Sequence, residues 1–416
     1  MVKLSQPDLV IMLLAISIML IFSRIASELG KRIGLPSVMG ELIVGVLLGP
    51  TLFGTIAPGA YQTVFPFAEN PHVSLALDTI FSLSVILLLF VAGLELRFSL
   101  FLRHGRTVIC TGFGSMILPF ASGFAIAWFF PEWFSVTASG SRYPLFALFM
   151  GTAMAISALP VIARILLDMK LLKTDLGAVI IASAVFNDVV GWIFFSFILS
   201  LVGKNNGSGS VVTSLVSIAA FAAFMLVVGR YVLNRILPWI QTKLSWPGGV
   251  LAFCLSLCLL CAAFTEFIHI HAILGAFIAG LAIGDSAYLR EQAREIMHQF
   301  VTSFFAPLFF VSIGLKVNFI QHFEPLVVGL VLVIAFVGKV VGAGLGARLG
   351  GMSTRRSLAV GFGLNARGAM EMILGTLAYD AGLINQTVFV AIIFMAMVTS
   401  MTSAPLMRLF LDKKVR

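Results

Sequence analysis

The chain has 416 residues, of which 60% are apolar and 11% carry a formal charge, against roughly 45–50% and about 25% in an ordinary soluble domain. That much apolar chain suffices for roughly a dozen membrane crossings of about 20 residues each, which excludes a soluble multidomain enzyme, a disulfide scaffold and a disordered chain; the continuous apolar runs exclude an alternating outer-membrane barrel. A formal charge of +9 would suggest nucleic acid in a soluble protein, but here its distribution carries the information.

Apolar runs, breakers and charge clusters predict an all-α polytopic membrane protein of about thirteen helices, at 8–24, 36–54, 75–96, 107–130, 145–168, 175–203, 211–236, 249–266, 270–285, 298–317, 324–348, 355–380 and 386–410. The first run is led by Asp8 rather than a basic cluster and reads as a span, not a removed signal peptide. The fifth segment contains Gly151 to Pro160, and its proline removes a backbone hydrogen bond inside the span. The sixth holds Asn187 and Asp188, followed by a loop with the glycosylation triplet Asn206-Gly-Ser208. In the eighth, Cys254, Cys258 and Cys261 share one helix face, as small residues that ease packing or as a metal or redox site. His269 and His271 fall in the tight outside loop 266–271, where the eighth segment gives way to the ninth. The eleventh holds Lys339, and the twelfth runs through Gly361, Gly363, Asn365, Arg367, Gly368 and Glu371.

Twenty-one of the 27 lysine and arginine residues fall on one set of loops and flanks, four on the other, and two, Lys339 and Arg367, inside apolar helices. This positive-inside bias places the C-terminus in the cytoplasm and the N-terminus outside. It also accounts for the charge without nucleic acid. If the seventh segment (211–236) is a linker, 8–203 and 249–410 become two six-helix repeats of inverted topology within a single transporter domain spanning 1–416, with no soluble domain. The breaker-rich fifth and twelfth segments then occupy equivalent places, the pattern of a secondary transporter with broken helices near mid-membrane. Simple kinks in an ordinary bundle are the alternative.

An ionisable group at mid-bilayer costs at least about 2.5–3.5 kcal/mol and needs a reason. A carboxyl group at Asp188, taken out of water, needs a proton or a cation beside it, which is the minimal chemistry for exchanging one for the other. Asn187 offers an amide oxygen beside it. Lys339 must find an anion or lose its proton, and Asp188 is the economical partner. Arg367 and Glu371 are spaced i, i+4 and can pair with each other. Arginine keeps its charge, so this pair is expected to hold a broken helix in shape. The six histidines all fall in loops or at span ends, which leaves no convergent set for an intramembrane enzyme.

These residues resemble the monovalent cation:proton antiporter superfamily, in particular its Kef-like and plant cation/H⁺ exchanger branch. The likeness runs from Leu35-Pro36 through Gly40-Glu41 to Gly49-Pro50, then Phe90 to Leu96, Thr152 to Ile165, Phe186-Asn187-Asp188, Phe309 to Leu315, and Asn365-Ala-Arg367-Gly368-Ala-Met-Glu371. The resemblance implies a dimerisation domain plus a mobile core in which two broken helices cross beside the acidic site. It also implies a homodimer in the membrane lipid. Asp188 would bind a monovalent cation and a proton in turn, helped by Asn187, the Thr152 hydroxyl, Ser157 and carbonyls freed around 153–157; Lys339 matches the family lysine that pairs with the acidic site. Asn187 stands where electrogenic members carry the first of two aspartates, the one that pairs with the lysine, which implies electroneutral exchange, although electroneutral members often carry arginine where this chain has Lys339. The nucleotide-binding domain of Kef-type systems has no counterpart here. The resulting expectation is an antiporter of Na⁺ and/or K⁺ against H⁺, without cofactor, multi-pass in a bacterial inner or plasma membrane. A Kef-like potassium efflux pathway with channel-like behaviour is the alternative.

Overall fold

The computed structural model describes residues 5–32, 37–67, 70–95, 105–134, 143–171, 174–202, 211–268, 271–286 and 288–411. The triplet at Asn206 and the imidazole of His269 lie outside these residues. Regular structure among the described residues is entirely helical. In chain order it runs α1 (Gln6–Arg32), α2 (Ser37–Leu48), α3 (Phe53–Ile56), α4 (Pro58–Val64), α5 (Pro71–Glu95), α6 (Gly105–Phe129), α7 (Tyr143–Ala155), α8 (Leu159–Asp168), α9 (Asp175–Val202) and α10 (Val211–Phe224). It continues with α11 (Arg230–Lys243), α12 (Gly248–Phe267), α13 (Ala272–Gly284), α14 (Glu291–Phe300), α15 (Ala306–Lys316), α16 (Pro325–Leu349), α17 (Thr354–Leu364), α18 (Ala369–Asp380) and α19 (Gln386–Leu409). Among the described residues, ten stretches are long and apolar enough to cross a membrane, and α7 and α13 are shorter apolar helices.

Local chemistry explains the starts and stops. Pro325 opens α16 at a position where its missing N–H has no intrahelical partner anyway. Asn385 caps α19 through its side chain, which accepts from the Val388 N–H at 2.9 Å. Two helices differ from the uniform rods that their apolar runs suggest: single π-helical turns, Met225–Gly229 and Val301–Phe305, join α10 to α11 and α14 to α15. The fifth and twelfth predicted segments each stop and restart. α7 ends at Ala155 and α8 begins at Leu159, with Pro160 in its first turn. α17 ends at Leu364 and α18 begins at Ala369.

The chain divides into two compact units, 1–97 with 216–321, and 98–215 with 322–416. In the first, Met19 of α1, Leu77 and Phe81 of α5, and Leu308 and Val311 of α15 form a buried apolar cluster. Cys254, Cys258 and Cys261 are buried along α12, and among the described residues no group of three His, Cys, Asp or Glu is placed to hold a metal ion. In the second unit α6 and α16 approach backbone to backbone: a Cβ on Gly342 would lie 2.3 Å from the Gly114 carbonyl oxygen. Small residues allow helices in lipid to come this close. A neighbouring face of α16 presents Val333, Val337, Val341, Leu345 and Leu349 at i, i+4 spacing, all exposed. An apolar stripe of that length is a liability in water and is at home against acyl chains.

Candidate functional site

The site lies wholly within the second unit, where the two interrupted helices meet. The unwound residues 156–158 run against the unwound residues 365–368. The Ala158 N–H donates to the Ala366 carbonyl at 3.2 Å, and the Ser157 hydroxyl donates to the Leu364 carbonyl at 3.1 Å. Each break frees backbone groups that no longer have a partner one turn away, and the two breaks satisfy part of each other's need.

α9 passes beside this junction and carries Asn187 and Asp188, both buried, Asp188 at 1% exposure. The Asn187 amide is the hub. Oriented with Nδ2 toward the Gly112 and Ser183 carbonyls (3.2 and 3.3 Å), it turns Oδ1 toward Lys339 Nζ at 3.2 Å and Ser115 Oγ at 2.9 Å. Ser157 Oγ lies 3.4 Å from the same amide atom. This orientation gives the ammonium an acceptor rather than a second donor, which a buried cation requires. Lys339 also donates to the Ala155 carbonyl. Lys339, expected to pair with Asp188, thus bonds the amide of the neighbouring Asn187 and the Ala155 carbonyl.

Arg367 is fully buried and reaches across to the other broken helix. It donates to the Ala153 carbonyl at 2.8 Å, to the Met154 carbonyl, and to the Ala335 carbonyl at 3.4 Å. Its carbonyl oxygen accepts from the Ser400 hydroxyl. Glu371 stands 4.0 Å from the Arg367 guanidinium and accepts from the Gly368 N–H at 2.8 Å. The i, i+4 pair expected to shape its own helix therefore also fixes the end of α7. Thr152 is buried, with its hydroxyl proton directed to the Leu148 carbonyl of its own helix at 2.8 Å.

Of the carbonyls around 153–157 expected to help hold a transported ion, those of Ala153, Met154 and Ala155 accept from Arg367 and Lys339. The reason is electrostatic. A helix C-terminus concentrates unpaired carbonyls and partial negative charge, and two fixed cations occupy it here. Sequence reasoning also missed Ser115, which touches Asn187 from α6, and passed over Asn365, buried at the second break. A serine in an apolar helix carries no signal of its own. An asparagine among glycines just before a buried arginine does.

A sequence model of the transmembrane sodium/hydrogen exchanger family matches residues 14–409. Cation/H(+) antiporter 20 of Arabidopsis thaliana is 33% identical over 399 residues, covering 92% of this chain and 46% of that protein. The Na(+)/H(+) antiporter NhaS4 of Synechocystis sp. is 30% identical over 401 residues, covering 96% of each, and the K(+)/H(+) antiporter 1 of Saccharomyces cerevisiae is 30% identical over 386 residues, covering 90% of this chain and 43% of that protein. The chain thus spans about half the length of the plant and yeast relatives it matches. The sodium proton antiporter MjNhaP1 of Methanocaldococcus jannaschii shares the fold, with a TM-score of 0.65 at 17% identity over 96% of each chain.

Proposed function

The chain belongs to the sodium/hydrogen exchanger family, and from that premise we propose that it exchanges a monovalent cation, Na⁺ and/or K⁺, for H⁺, with Asp188 carrying the ion and the proton in turn. The family is one of transporters rather than enzymes, and its members work without a cofactor. The observation that supports the reading best is the placement of Asp188. It is a buried carboxyl group on α9, next to the amide that joins Lys339 to the first helix break. Competition of two positive species for one carboxylate enforces exchange, because a bare carboxylate faces an electrostatic barrier of several kcal/mol in an apolar gate. Asn187, Ser157 and the Thr152 oxygen assist as neutral donors. Lys339, Arg367 and Glu371 supply the fixed charges around them. With a single carboxylate beside the amide, the exchange is electroneutral.

The thirteen-span arrangement with inverted halves at 8–203 and 249–410, and 211–236 between them, is part of the same proposal. Each compact unit draws one piece from either side of the linker region, which fits two interleaved repeats. The unit containing Asp188 would serve as the mobile core and the other as the dimerisation domain of a homodimer in lipid. The N-terminus would lie outside and the C-terminus in the cytoplasm of a bacterial inner or plasma membrane, as the basic residues suggest.

The test is reconstitution in liposomes with a trapped pH dye. Sodium or potassium is added at several pH values, with valinomycin and potassium setting the voltage in the sodium runs. Wild type should move protons on cation addition and show no voltage response, and Asp188→Asn should abolish the movement while remaining folded. Cation-driven proton flux retained in that variant would overturn the role of Asp188. Potassium current without obligatory proton movement would favour a channel-like efflux pathway instead.

A further inference from the structure

The junction of the two breaks contains one polar side chain that the exchange scheme leaves without a task. Asn365 follows directly on the end of α17. It is 0% exposed, and neither its Nδ2 nor its Oδ1 has a hydrogen-bond partner among the described residues. Native proteins keep very few dry, unpaired amides, and those they keep usually answer to an ion, a water or a functional demand.

Its backbone neighbours lie against the first break. On one side, the Leu364 carbonyl accepts from Ser157 Oγ at 3.1 Å. On the other, the Ala366 carbonyl accepts from the Ala158 N–H at 3.2 Å. Ser157 Oγ is in turn 3.4 Å from the amide of Asn187, the residue beside Asp188. A single hydroxyl therefore separates the Asn187–Asp188 pair from the peptide that leads into Asn365. The nearby carbonyls of Ala153, Met154 and Ala155 already accept from Arg367 and Lys339. A hard cation taken into this site would need other neutral oxygens, and an asparagine carbonyl is a suitable one.

We propose that Asn365 is a further ligand of the transported monovalent cation and sets its selectivity. This rests on the reading of Asp188 as the ion carrier and extends the ion's shell to the second broken helix. A neutral amide oxygen favours a metal cation on the carboxylate far more than it favours a proton there. Asn365 therefore acts on cation affinity and leaves the proton side of the exchange largely alone.

The experiment uses the full chain in liposomes and in detergent. Proton movement is titrated with NaCl and with KCl, with choline chloride holding ionic strength constant, and melting temperature is followed with the same salts. Asn365→Ala should raise the half-saturating cation concentration about tenfold, the loss of one good polar contact. It should also change the Na⁺/K⁺ ratio and remove most of the salt-specific thermal stabilisation, while the pH profile moves little. Asn365→Asp, which keeps an oxygen in place, should restore cation affinity. An unchanged half-saturation and unchanged Na⁺/K⁺ ratio in Asn365→Ala overturn the proposal, even if its melting temperature in choline falls, because a purely structural amide would behave that way. If Asn365→Ala does not fold, Asn365→Val, which also lacks an oxygen, takes its place, and an unaltered Na⁺/K⁺ ratio in that variant overturns the proposal. A wild type that moves no protons, or an Asp188→Asn variant that still does, overturns the ion-carrier reading and this proposal together; a failure confined to Asn365 leaves Asp188 standing.

Discussion

Replacing Arg367 by lysine keeps the positive charge and removes the fork. In the wild type the two terminal guanidinium nitrogens hold the Ala153 and Met154 carbonyls, and Glu371 stands 4.0 Å away. An ammonium lacks the planar fork whose two terminal nitrogens each serve one carbonyl, and the lysine variant is expected to leave one of the two unpaired. A buried acceptor left unpaired costs about 1–3 kcal/mol, so Arg367→Lys should lose about that much, a substantial part of a typical stability of about 5–15 kcal/mol. Removing the charge is worse. Arg367→Met leaves both carbonyls unpaired and Glu371 buried without its counter-ion, and breaking a buried pair from one side costs about 3–5 kcal/mol by itself. The double variant Arg367→Met/Glu371→Met removes the stranded carboxylate and should be more stable than Arg367→Met alone, the coupling expected of residues in one network. Unfolding free energies from denaturant titration in detergent measure all three. An Arg367→Lys variant within about 0.5 kcal/mol of wild type, the range of ordinary surface substitutions, would refute the claim that the guanidinium fork holds the end of α7.

Two further outcomes are expected. Lys339→Ala removes a charged donor from the Ala155 carbonyl and the Asn187 amide; it should cost about 1.5–3 kcal/mol and shift the pH profile of exchange, and an unchanged profile with an unchanged melting temperature would refute its place in the site. His271 caps α13 by accepting from the Ile273 N–H through Nδ1, and burial, opposed in part by Glu266, holds its pKa below the ordinary 6.5. The unfolded chain then takes up the proton first. The stability His271 contributes is complete above pH 6.5 and declines as pH falls from there toward the folded-state value. Melting temperatures between about pH 5 and 8, where histidine titrates, should fall on the acid side in the wild type and flatten in His271→Gln.

The parts of the site that were legible in the sequence share one property: they break a rule of their surroundings. Asp188, Lys339, Arg367 and Glu371 are charges in apolar runs, and Pro160 and the glycines at 361, 363 and 368 are breakers inside spans. What was not legible is where those charges go. Lys339 and Arg367 reach peptide carbonyls of α7, and a carbonyl looks the same at every residue of a sequence. Ser115 escaped notice because a hydroxyl in an apolar helix usually bonds to its own backbone, as Thr152 does here. The fold was legible where apolar runs are long. The π turns at Met225–Gly229 and Val301–Phe305 were not, because one extra residue in a turn leaves the apolar run unbroken.

The glycine contact between α6 and α16 bears on the proposed passage of an ion from one face of the membrane to the other. Side chains can yield by changing rotamer, whereas two backbones in van der Waals contact have no soft layer between them to absorb a push. Gly342 against Gly114 therefore makes α6 and α16 a stiff girder, and α16 is the helix from which Lys339 projects. A framework of that kind holds Ser115 and Lys339, the two groups that bond the Asn187 amide, at a fixed separation, so on the proposed reading the amide keeps its place as the ion passes. The ranking of Na⁺ against K⁺ should then come out the same whether the ions are offered from inside or outside the vesicle.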